Sequence, residues 1–451
     1  MPPDPPAARW SVGRVLAPAL FLLCVGLHWH SLSYPFLDWD DVSNVVENPH
    51  IRRLDAGNLK WMFTRSLVSD YKPLVWISYT LDLKLWGLSP AGFRLVNLLL
   101  HGANTLFVYA LVFALASRAR GAAPATRGAV TGVAGLLAAV FAVHPQRVES
   151  VVWISERKDV LCAFFFLSSL LLYARRPRAG RSAYGGWLAL FSLAGLAAML
   201  CKAVAVILPF ALLWMDLCLD ARDAGSGKGR WAWGVGRLAE KAPLIACAVL
   251  VGIKAWSEQA DDPANNLMVA AQARMVPYVV MLNVMRTFWP WPLSPLYPQH
   301  AALGVSAVEC AAAGAAVVLI TAAVWRAAVR GNAWPLLGWG FFGIALAPTL
   351  PIRHIADRFM YLPSIGLLAL PVLAWGAWIG RMRVGRAVAG VAAAVALLIL
   401  AGGNAGYSRV WSSSLRLWLR AVEQSPEVRS WFGLAVAEMR AGDLDAAARA
   451  V

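Results

Sequence analysis

Three aspartates stand close together after the first hydrophobic segment, within residues 36–41. Adjacent carboxylates repel each other, and Trp39 partly excludes water from them, so the pKa of one carboxyl group rises. Either Asp40 or Asp41 can then act as a general base toward a hydroxyl, with Asp38 lining the substrate site. The pair could also hold a divalent cation such as Mg²⁺ or Mn²⁺. The alternative is that these loop acids cap an interfacial helix or pair with nearby arginines.

A second concentration of charge lies between residues 144 and 159, at the junction of two hydrophobic segments. Arginine and lysine side chains are suited to binding phosphate, so Arg157 and Lys158 are candidates to hold a phosphate or pyrophosphate. His144 and Glu149 are candidates to orient a sugar or a metal ion. The alternative is a charge-neutral loop whose polar residues cap helices.

Two further cationic positions flank hydrophobic segments. Lys202 lies between two such segments, and an ionisable group at membrane depth is a candidate functional residue. Arg353, His354 and Arg358 precede Tyr361, and this group is suited to binding a lipid-linked phosphate. The alternative for the second group is that it anchors the hydrophobic segment that follows.

Polar residues also recur along one face of the second hydrophobic segment. Arg94, Asn97, His101 and Asn104 are spaced by three, four and three residues, which places them on one side of a helix. Hydrogen bonding between helices is the favoured explanation. A substrate-lining role remains open for Arg94 and His101. Asp82, isolated among apolar residues, is predicted to pair with a cation.

The composition indicates an integral membrane protein. The chain has 451 residues, of which 59% are hydrophobic and 15% charged. Hydrophobic runs recur along it and predict about eleven transmembrane helices, because only helices satisfy their own backbone in lipid. The predicted fold is therefore all-α and polytopic. The runs are Val15–Leu32, Phe93–Ala116, Ala129–Val143, Val160–Tyr173, Trp187–Cys201, Ala203–Leu219, Ala242–Ala255, Ala301–Trp325, Trp334–Leu350, Phe359–Ile379 and Ala387–Gly402.

The net charge of +16 is explained by topology. The basic residues cluster in alternate links between the hydrophobic runs, as expected if those links are cytoplasmic. A nucleic-acid partner is therefore not expected. The links at 33–92, 144–159, 202, 256–300 and 351–358 are predicted to face outward, and so is the carboxyl tail. The first of these links carries amphipathic helices near 59–63 and 74–77 that lie on the bilayer.

The composition changes after residue 403. Residues 1–403 are predicted to form the membrane domain, and residues 404–451 the start of a tetratricopeptide region whose repeat is incomplete. A lone repeat cannot bury its apolar face, so we expect further repeats in a longer chain. The positions that match the repeat pattern are Trp431, Leu434, Ala435, Gly442, Ala447 and Val451.

These motifs together resemble the GT-C superfamily of membrane glycosyltransferases. The chain is most similar to bacterial members with tetratricopeptide tails and to the transmembrane and tetratricopeptide-repeat O-mannosyltransferases of eukaryotes. The stretches that carry the resemblance are Trp39-Asp40-Asp41 with Asn48-Pro49, 94–101, 144–151, Ser155-Glu156-Arg157-Lys158-Asp159, Lys202 ahead of Leu208-Pro209, Trp289-Pro290 with Leu296-Tyr297-Pro298, and Ala356-Asp357-Arg358 with Tyr361-Leu362-Pro363.

The resemblance implies an inverting transfer of a sugar, such as mannose, from a polyprenyl-phosphate donor to a hydroxyl of a protein or glycan. It places the family's acidic motif on Asp40 and Asp41, with Asp40 as the preferred base. The leaving phosphate would be held by Arg157, Lys158, Lys202 and Arg358. The expected location is the inner membrane of a bacterium, with the site facing the periplasm.

Two other classes of function remain. One is a non-catalytic membrane anchor that presents tetratricopeptide repeats to partner proteins. The other is a transporter in which Lys202, Arg94 and His101 form an ion path, although the sequence shows no inverted repeat and no paired broken segments.

Overall fold

The computed structural model describes residues 11–67, 70–118, 127–177, 181–220, 228–259, 274–298, 304–350, 355–381 and 385–450. This part of the chain is helical, apart from turns and one isolated bridge between Leu67 and Asp70. Within the described residues, each hydrophobic run singled out above is largely helical, so the all-α prediction is confirmed. The amphipathic segments predicted in the first outer link are also helical.

The α-helices are numbered here in chain order. They are α1 Ser11–His28, α2 Ala56–Thr64, α3 Pro73–Trp86, α4 Pro90–Arg118, α5 Arg127–Val143, α6 Val148–Val152, α7 Arg157–Ala174, α8 Arg181–Cys201, α9 Leu208–Leu219, α10 Lys228–Gln259, α11 Val276–Phe288, α12 Ala307–Val329, α13 Trp334–Leu346, α14 Pro363–Arg381, α15 Gly385–Ser408, α16 Ser414–Gln424, α17 Val428–Ala441 and α18 Leu444–Ala450.

Among the described residues, five helices are long and apolar enough to cross a membrane. They are Val15–Ser33, Pro90–Ala116, Ala183–Cys201, Ala307–Val329 and Ala387–Ser412. A sixth candidate is the pair Gly128–Val143 and Pro145–Val152, which is bent by 59°. The predicted number of about eleven is not confirmed, because other apolar helices are short. For example, α9 has 12 residues and α13 has 13, against roughly 20 for a full span.

Helix α4 lies at the centre of the bundle and packs against α1, α5 and α7. Its buried apolar side chains join those of α5, α7, α8 and α9 in the largest hydrophobic core. By contrast, α12 and α15 leave most of their apolar side chains uncovered, including Leu319 and Leu398. Such uncovered apolar surface suits contact with lipid, so these two helices lie at the periphery of the bundle.

The C-terminal helices form a compact group that begins with the end of α15. Helix α15 continues through residue 403 to Ser408, and α16 begins at Ser414. Helix α17 ends at Ala441 and is followed by Gly442, whose φ of +87° is in the left-handed region that favours glycine. The Asp443 N–H donates to the Glu438 carbonyl at 3.0 Å, and this bond turns the chain into α18. The assignment of these helices to a tetratricopeptide repeat remains a prediction.

Four of the links that the charge pattern placed on one side of the membrane meet at one end of the bundle. Side-chain contacts join residue 41 to 155, residue 158 to 70, residue 202 to 159, and residue 358 to 149. A separate ionic cluster lies at the other end of α7, where the buried Lys241 ammonium donates to the Asp216 carboxylate at 2.6 Å. The charged groups of the candidate site therefore belong to a single end of the protein.

Helices α13 and α14 cross at two glycines. A Cβ built on Gly366 would lie 2.2 Å from the carbonyl oxygen of Gly338, and one on Gly338 would lie 2.7 Å from that of Gly366. The two backbones are therefore in direct contact, in the manner of small-residue crossings between membrane helices.

We expect Gly366→Ala to lower the free energy of unfolding by about 1–3 kcal/mol, because the new methyl group forces the two backbones apart. The matched control is Gly343→Ala on α13, where a Cβ meets nothing within 4 Å. The thermal unfolding midpoints of the two variants in detergent test this expectation. Equal midpoints would show that the crossing tolerates a wider separation.

Candidate active site

Asp41 joins the first outer link to the link that precedes α7. Its buried carboxylate accepts hydrogen bonds from the Ser155 hydroxyl at 2.6 Å, the Ser155 N–H at 3.0 Å and the Leu37 N–H at 3.1 Å. Burial raises the pKa of Asp41, and the hydrogen bonds from Ser155 oppose that rise. Both oxygens are already occupied by protein donors, so Asp41 serves as an anchor for its neighbours.

Asp40 has a different environment from Asp41, although the two are adjacent. Its carboxylate is half-buried and has no hydrogen-bond partner among the residues that the structure describes. Burial is the largest cause that raises its pKa, and the charge of Glu156 raises it further, whereas Lys158, Lys72 and Arg358 lower it. Of the two causes predicted from sequence, exclusion of water is therefore the one that raises the pKa of Asp40, and repulsion by Asp41 is not among the causes. Asp40 is the aspartate of the pair that is free to accept a proton.

Lys158 lies at the centre of a group of opposite charges beside Asp40. Its ammonium is 2.6 Å from the Asp70 carboxylate and 3.3 Å from that of Glu156, and Lys72 approaches Asp70 at 3.4 Å. Burial alone would raise the pKa of Asp70, but the charges of Lys158 and Lys72 hold it well below its usual range. Burial alone would lower the pKa of both lysines. Asp70 and Glu156 raise the pKa of Lys158 above its usual range, whereas that of Lys72 remains lowered.

Lys202 and Arg358 approach the same group from two other parts of the chain. Lys202 pairs with Asp159, and its ammonium lies 5.7 Å from the centre of the Phe359 ring. Arg358 pairs with Glu149 and lies 3.2 Å from Glu156. Three predicted phosphate-binding cations, Lys158, Lys202 and Arg358, are thus brought together at one end of the bundle.

Arg157 is separated from this group and points into the protein. Its buried guanidinium donates to the Asp82 carboxylate at 2.7 Å and to the Phe93 carbonyl at 2.6 Å, and it also contacts Asn97. The predicted pairing of Asp82 with a cation is confirmed. A guanidinium with this many protein partners favours a structural role for Arg157 over the phosphate contact predicted from sequence.

Buried polar residues that were predicted to line the substrate site bind the protein itself. Arg94 donates to the carbonyls of Tyr34, Pro35 and Val152, and thereby ties the first outer link to α6. His101 contacts the hydroxyl of Tyr361 at 2.7 Å. The structure therefore favours the helix-bridging explanation for the polar face of α4 over a substrate-lining one.

The structure also gives His144 and Asp38 protein partners. His144 contacts the Thr287 carbonyl oxygen at 2.8 Å, and it is fully buried. Asp38 pairs with Arg440 of α17. The positions of Arg353 and His354 lie outside the described residues.

The residues present do not fit the divalent cation proposed for the aspartate pair. Within the described ranges, no group of three or more histidine, cysteine, aspartate or glutamate side chains has an arrangement that could hold a metal ion. The oxygens of Asp41 are taken by Ser155 and Leu37, so Asp40 alone remains at this position. A magnesium ion usually takes one or two carboxylates together with other oxygen ligands.

Sequence reasoning missed Asp70, Lys72 and Ser155. Asp70 and Lys72 could have been found from the sequence, because an acid and a base stand two residues apart immediately before Pro73, the first residue of α3. Ser155 carried no such signal. A serine beside a charged run has many possible roles. Only the fold brings Ser155 beside Asp41, which is 114 residues away in the sequence.

No protein-family model matches the chain. It is similar to Protein O-mannosyl-transferase TMTC4 of Mus musculus, with 34% identity over 140 residues, which are 30% of this chain and 19% of the relative. It is 32% identical over 164 residues to Protein O-mannosyl-transferase TMTC1 of Homo sapiens, covering 34% of this chain and 17% of the relative. Protein O-mannosyl-transferase Tmtc1 of Drosophila melanogaster is 33% identical over 149 residues, which are 33% of this chain and 15% of the relative.

The similarity to the transmembrane and tetratricopeptide-repeat O-mannosyltransferases, predicted from the motifs, is confirmed by these relatives. The matched segment spans about a fifth or less of the length of the curated relatives.

A test of stability separates the roles of Arg157 and Lys158. We expect Arg157→Met to cost about 3–5 kcal/mol of unfolding free energy, because it leaves the buried Asp82 carboxylate without its cation. Adding Asp82→Leu to that variant should recover part of the loss. The neighbouring Lys158→Gln is the control, since Asp70 keeps Lys72 and Glu156 keeps Arg358. Thermal unfolding in detergent is the measurement, and an Arg157→Met protein of normal stability would contradict the structural role.

Proposed function

We propose that this protein is a membrane glycosyltransferase of the GT-C type that moves a sugar from a polyprenyl-phosphate donor to an acceptor hydroxyl. In this proposal Asp40 is the base, and Lys158, Lys202 and Arg358 hold the donor phosphate. Asp41, Arg157 and Arg94 keep the surrounding segments in place. The proposal extends the names of the relatives, which are protein O-mannosyl-transferases, to the residues of this chain.

The observation that carries the proposal is the contrast between Asp40 and the acids around it. Asp41, Asp70, Glu149, Glu156 and Asp159 each face a protein donor or cation. The side chain of Asp40 has none in the described part of the chain, is only half-buried, and has a raised pKa. A carboxylate that is accessible and poorly solvated is suited to taking a proton from a hydroxyl.

The grouping of Lys158, Lys202 and Arg358 supports a phosphate in the donor. An ammonium carries three N–H donors, and the bond to Asp159 uses one of those of Lys202. Its side chain is 13% exposed, so it remains open to a ligand at the edge of the site. Positive charge placed at the leaving oxygen stabilises the negative charge that develops there during transfer.

An apolar cleft supports a lipid tail on the donor. It is an open cleft, lined almost entirely by apolar side chains from α4, α5, α7, α9, α13 and α14. The cations lie on, or just before, helices that also line the cleft. Lys158 is in the first turn of α7, and Leu167 lines the cleft nine residues farther along the same helix, about 14 Å from Lys158 along the helix axis. Lys202 precedes α9, whose Met215 lines it, and Arg358 precedes α14, whose Ile365 lines it.

The reaction follows from this arrangement. The acceptor O–H attacks the anomeric carbon while the Asp40 carboxylate takes its proton. The bond between that carbon and the phosphate oxygen breaks, and the electron pair leaves with the polyprenyl phosphate. Attack opposite the leaving group inverts the anomeric centre.

Mannose is the sugar that the names of the relatives suggest, and a protein hydroxyl is the corresponding acceptor. The distribution of basic residues favours an outward-facing site, because the arginine-rich links are those expected in the cytoplasm. We propose that the enzyme lies in the inner membrane of a bacterium, as its resemblance to bacterial members with tetratricopeptide tails implies, with Asp40 toward the periplasm.

Replacement of the base tests the proposal directly. We expect Asp40→Asn to lower the rate of transfer by about 10²–10⁴-fold, the usual contribution of general base catalysis. The control is Asp55→Asn in the same outer link, where either residue caps α2. The assay follows radiolabelled mannose from polyprenyl-phosphate mannose into the protein fraction of membranes that contain the chain. A normal rate for Asp40→Asn would reject Asp40 as the base, and transfer that does not depend on the chain would favour the non-catalytic anchor.

The pH dependence gives a second test. Asp40 acts as a base only when ionised, and its pKa is raised, so the rate should fall with decreasing pH at a midpoint above the ordinary aspartate value of about 3.9. Lys72→Gln should move this midpoint to higher pH, because the charge of Lys72 lowers the pKa of Asp40. Lys84→Gln, on the exposed side of α3, should leave it unchanged. If Lys72→Gln leaves the midpoint of the pH profile unchanged, the group that titrates is not Asp40.

A further inference from the structure

Trp39, the residue before Asp40, is held between two other tryptophans. Its ring centre lies 5.0 Å from that of Trp153 and 4.9 Å from that of Trp418, against which it stacks. Trp153 in turn lies 5.4 Å from Trp411. Trp418 belongs to α16, so a C-terminal helix supplies one side of the packing around the acidic motif.

Polar contacts from the C-terminal helices surround the same few residues. The Asp38 N–H donates to the Ser414 hydroxyl at 2.9 Å, and the Asp38 carboxylate pairs with Arg440 of α17. The guanidinium of Arg429, also on α17, lies 5.5 Å from the centre of the Trp39 ring. The two residues that precede Asp40 are therefore both contacted by α16 and α17.

Gly433 of α17 makes the position of Trp418 possible. A Cβ on Gly433 would lie 2.4 Å from the Trp418 indole, so the indole occupies the space that any larger residue would need. Helix α17 therefore packs against Trp418, and Trp418 packs against Trp39. Trp39 directly precedes Asp40 in the sequence.

Asp40 has no side-chain hydrogen bond of its own in the described residues, so its position depends on its neighbours in the chain. On one side, Asp41 is fixed by Ser155 and Leu37. On the other side, the tryptophan stack fixes Trp39. We propose that Trp418 is a positioning residue that acts through Trp39 on Asp40, so that α16 and α17 complete the active site. The expected effect on the rate of transfer rests on the function proposed above, whereas the expected effect on the position of residue 40 does not.

The kinetic test uses a variant outside the stack. We expect Gly433→Ala in the full chain to lower kcat by about tenfold, because a displaced base loses its alignment with the acceptor hydroxyl. The KM for polyprenyl-phosphate mannose should stay within about twofold, since Lys158 and Lys202 are held by Asp70 and Asp159 and not by the tryptophans. Gly406→Ala, where a Cβ meets nothing within 4 Å, is the matched control. A normal kcat, or an equal loss in kcat and in donor affinity, would overturn the proposal.

Substitution of Trp418 itself separates positioning from general destabilisation. Trp418→Phe keeps an aromatic ring against Trp39 and should retain most of the activity, whereas Trp418→Ala should behave like Gly433→Ala. Activity is expressed per amount of folded protein in the membrane, and a loss in Trp418→Ala that disappears on this scale would overturn the proposal. Equal activity of the two variants would overturn the proposal.

A test without catalysis uses Asp40→Cys and a membrane-impermeant maleimide. Adding Gly433→Ala should raise the labelling rate at residue 40 by about threefold or more, because the reactivity of a thiol follows its exposure. Adding Gly406→Ala should not change it, and the chain with its native cysteines gives the background. An unchanged rate with Gly433→Ala overturns the proposal. If labelling rises as expected and even the unmodified chain transfers no mannose, the inference on positioning stands and the proposed function fails.

Discussion

The geometry of the candidate site depends on one buried carboxylate. Asp41 binds Ser155 through two hydrogen bonds and Leu37 through a third, and so joins two outer links that are far apart in sequence. An unpaired carboxylate at this depth would be costly, so the links stay together as long as these donors are present. Arg94 reinforces the junction by donating to the carbonyl of Val152 and to those of Tyr34 and Pro35. Asp40 and Lys158 belong to the two segments that this junction holds side by side.

The cations of the site are balanced by acids in every case described. Asp70 and Glu156 face Lys158, Asp159 faces Lys202, and Glu149 faces Arg358. Such pairing lets charged groups persist where water is scarce, although it adds little to stability by itself. For the donor that we propose, it also means that the cations are preorganised and that binding needs no large rearrangement of side chains. Preorganised charge of this kind is the usual basis of electrostatic catalysis.

Several parts of this arrangement were predictable from the residues. The helices follow from hydrophobic runs, and the meeting of the four outer links follows from the alternation of basic residues between those runs. The Asp82 pairing also followed, because a single acid among apolar residues needs a cation nearby. The number of full spans was not predictable, since α9 and α13 are apolar but too short to cross a bilayer alone. Arg157 and Lys158 could not be told apart, because adjacent residues at the start of a helix point in different directions.

The sequence alone therefore determined which segments are helical and which charged links meet at one end of the bundle. The physical reason is that lipid leaves the backbone few alternatives, and that basic residues between spans are biased to one side. The tertiary structure decided which of two adjacent aspartates is anchored and which is free, which cations turn inward, and that α16 and α17 pack against the acidic motif. These outcomes depend on contacts between residues that are up to 402 positions apart, as in Asp38 and Arg440, and no local pattern encodes such partners.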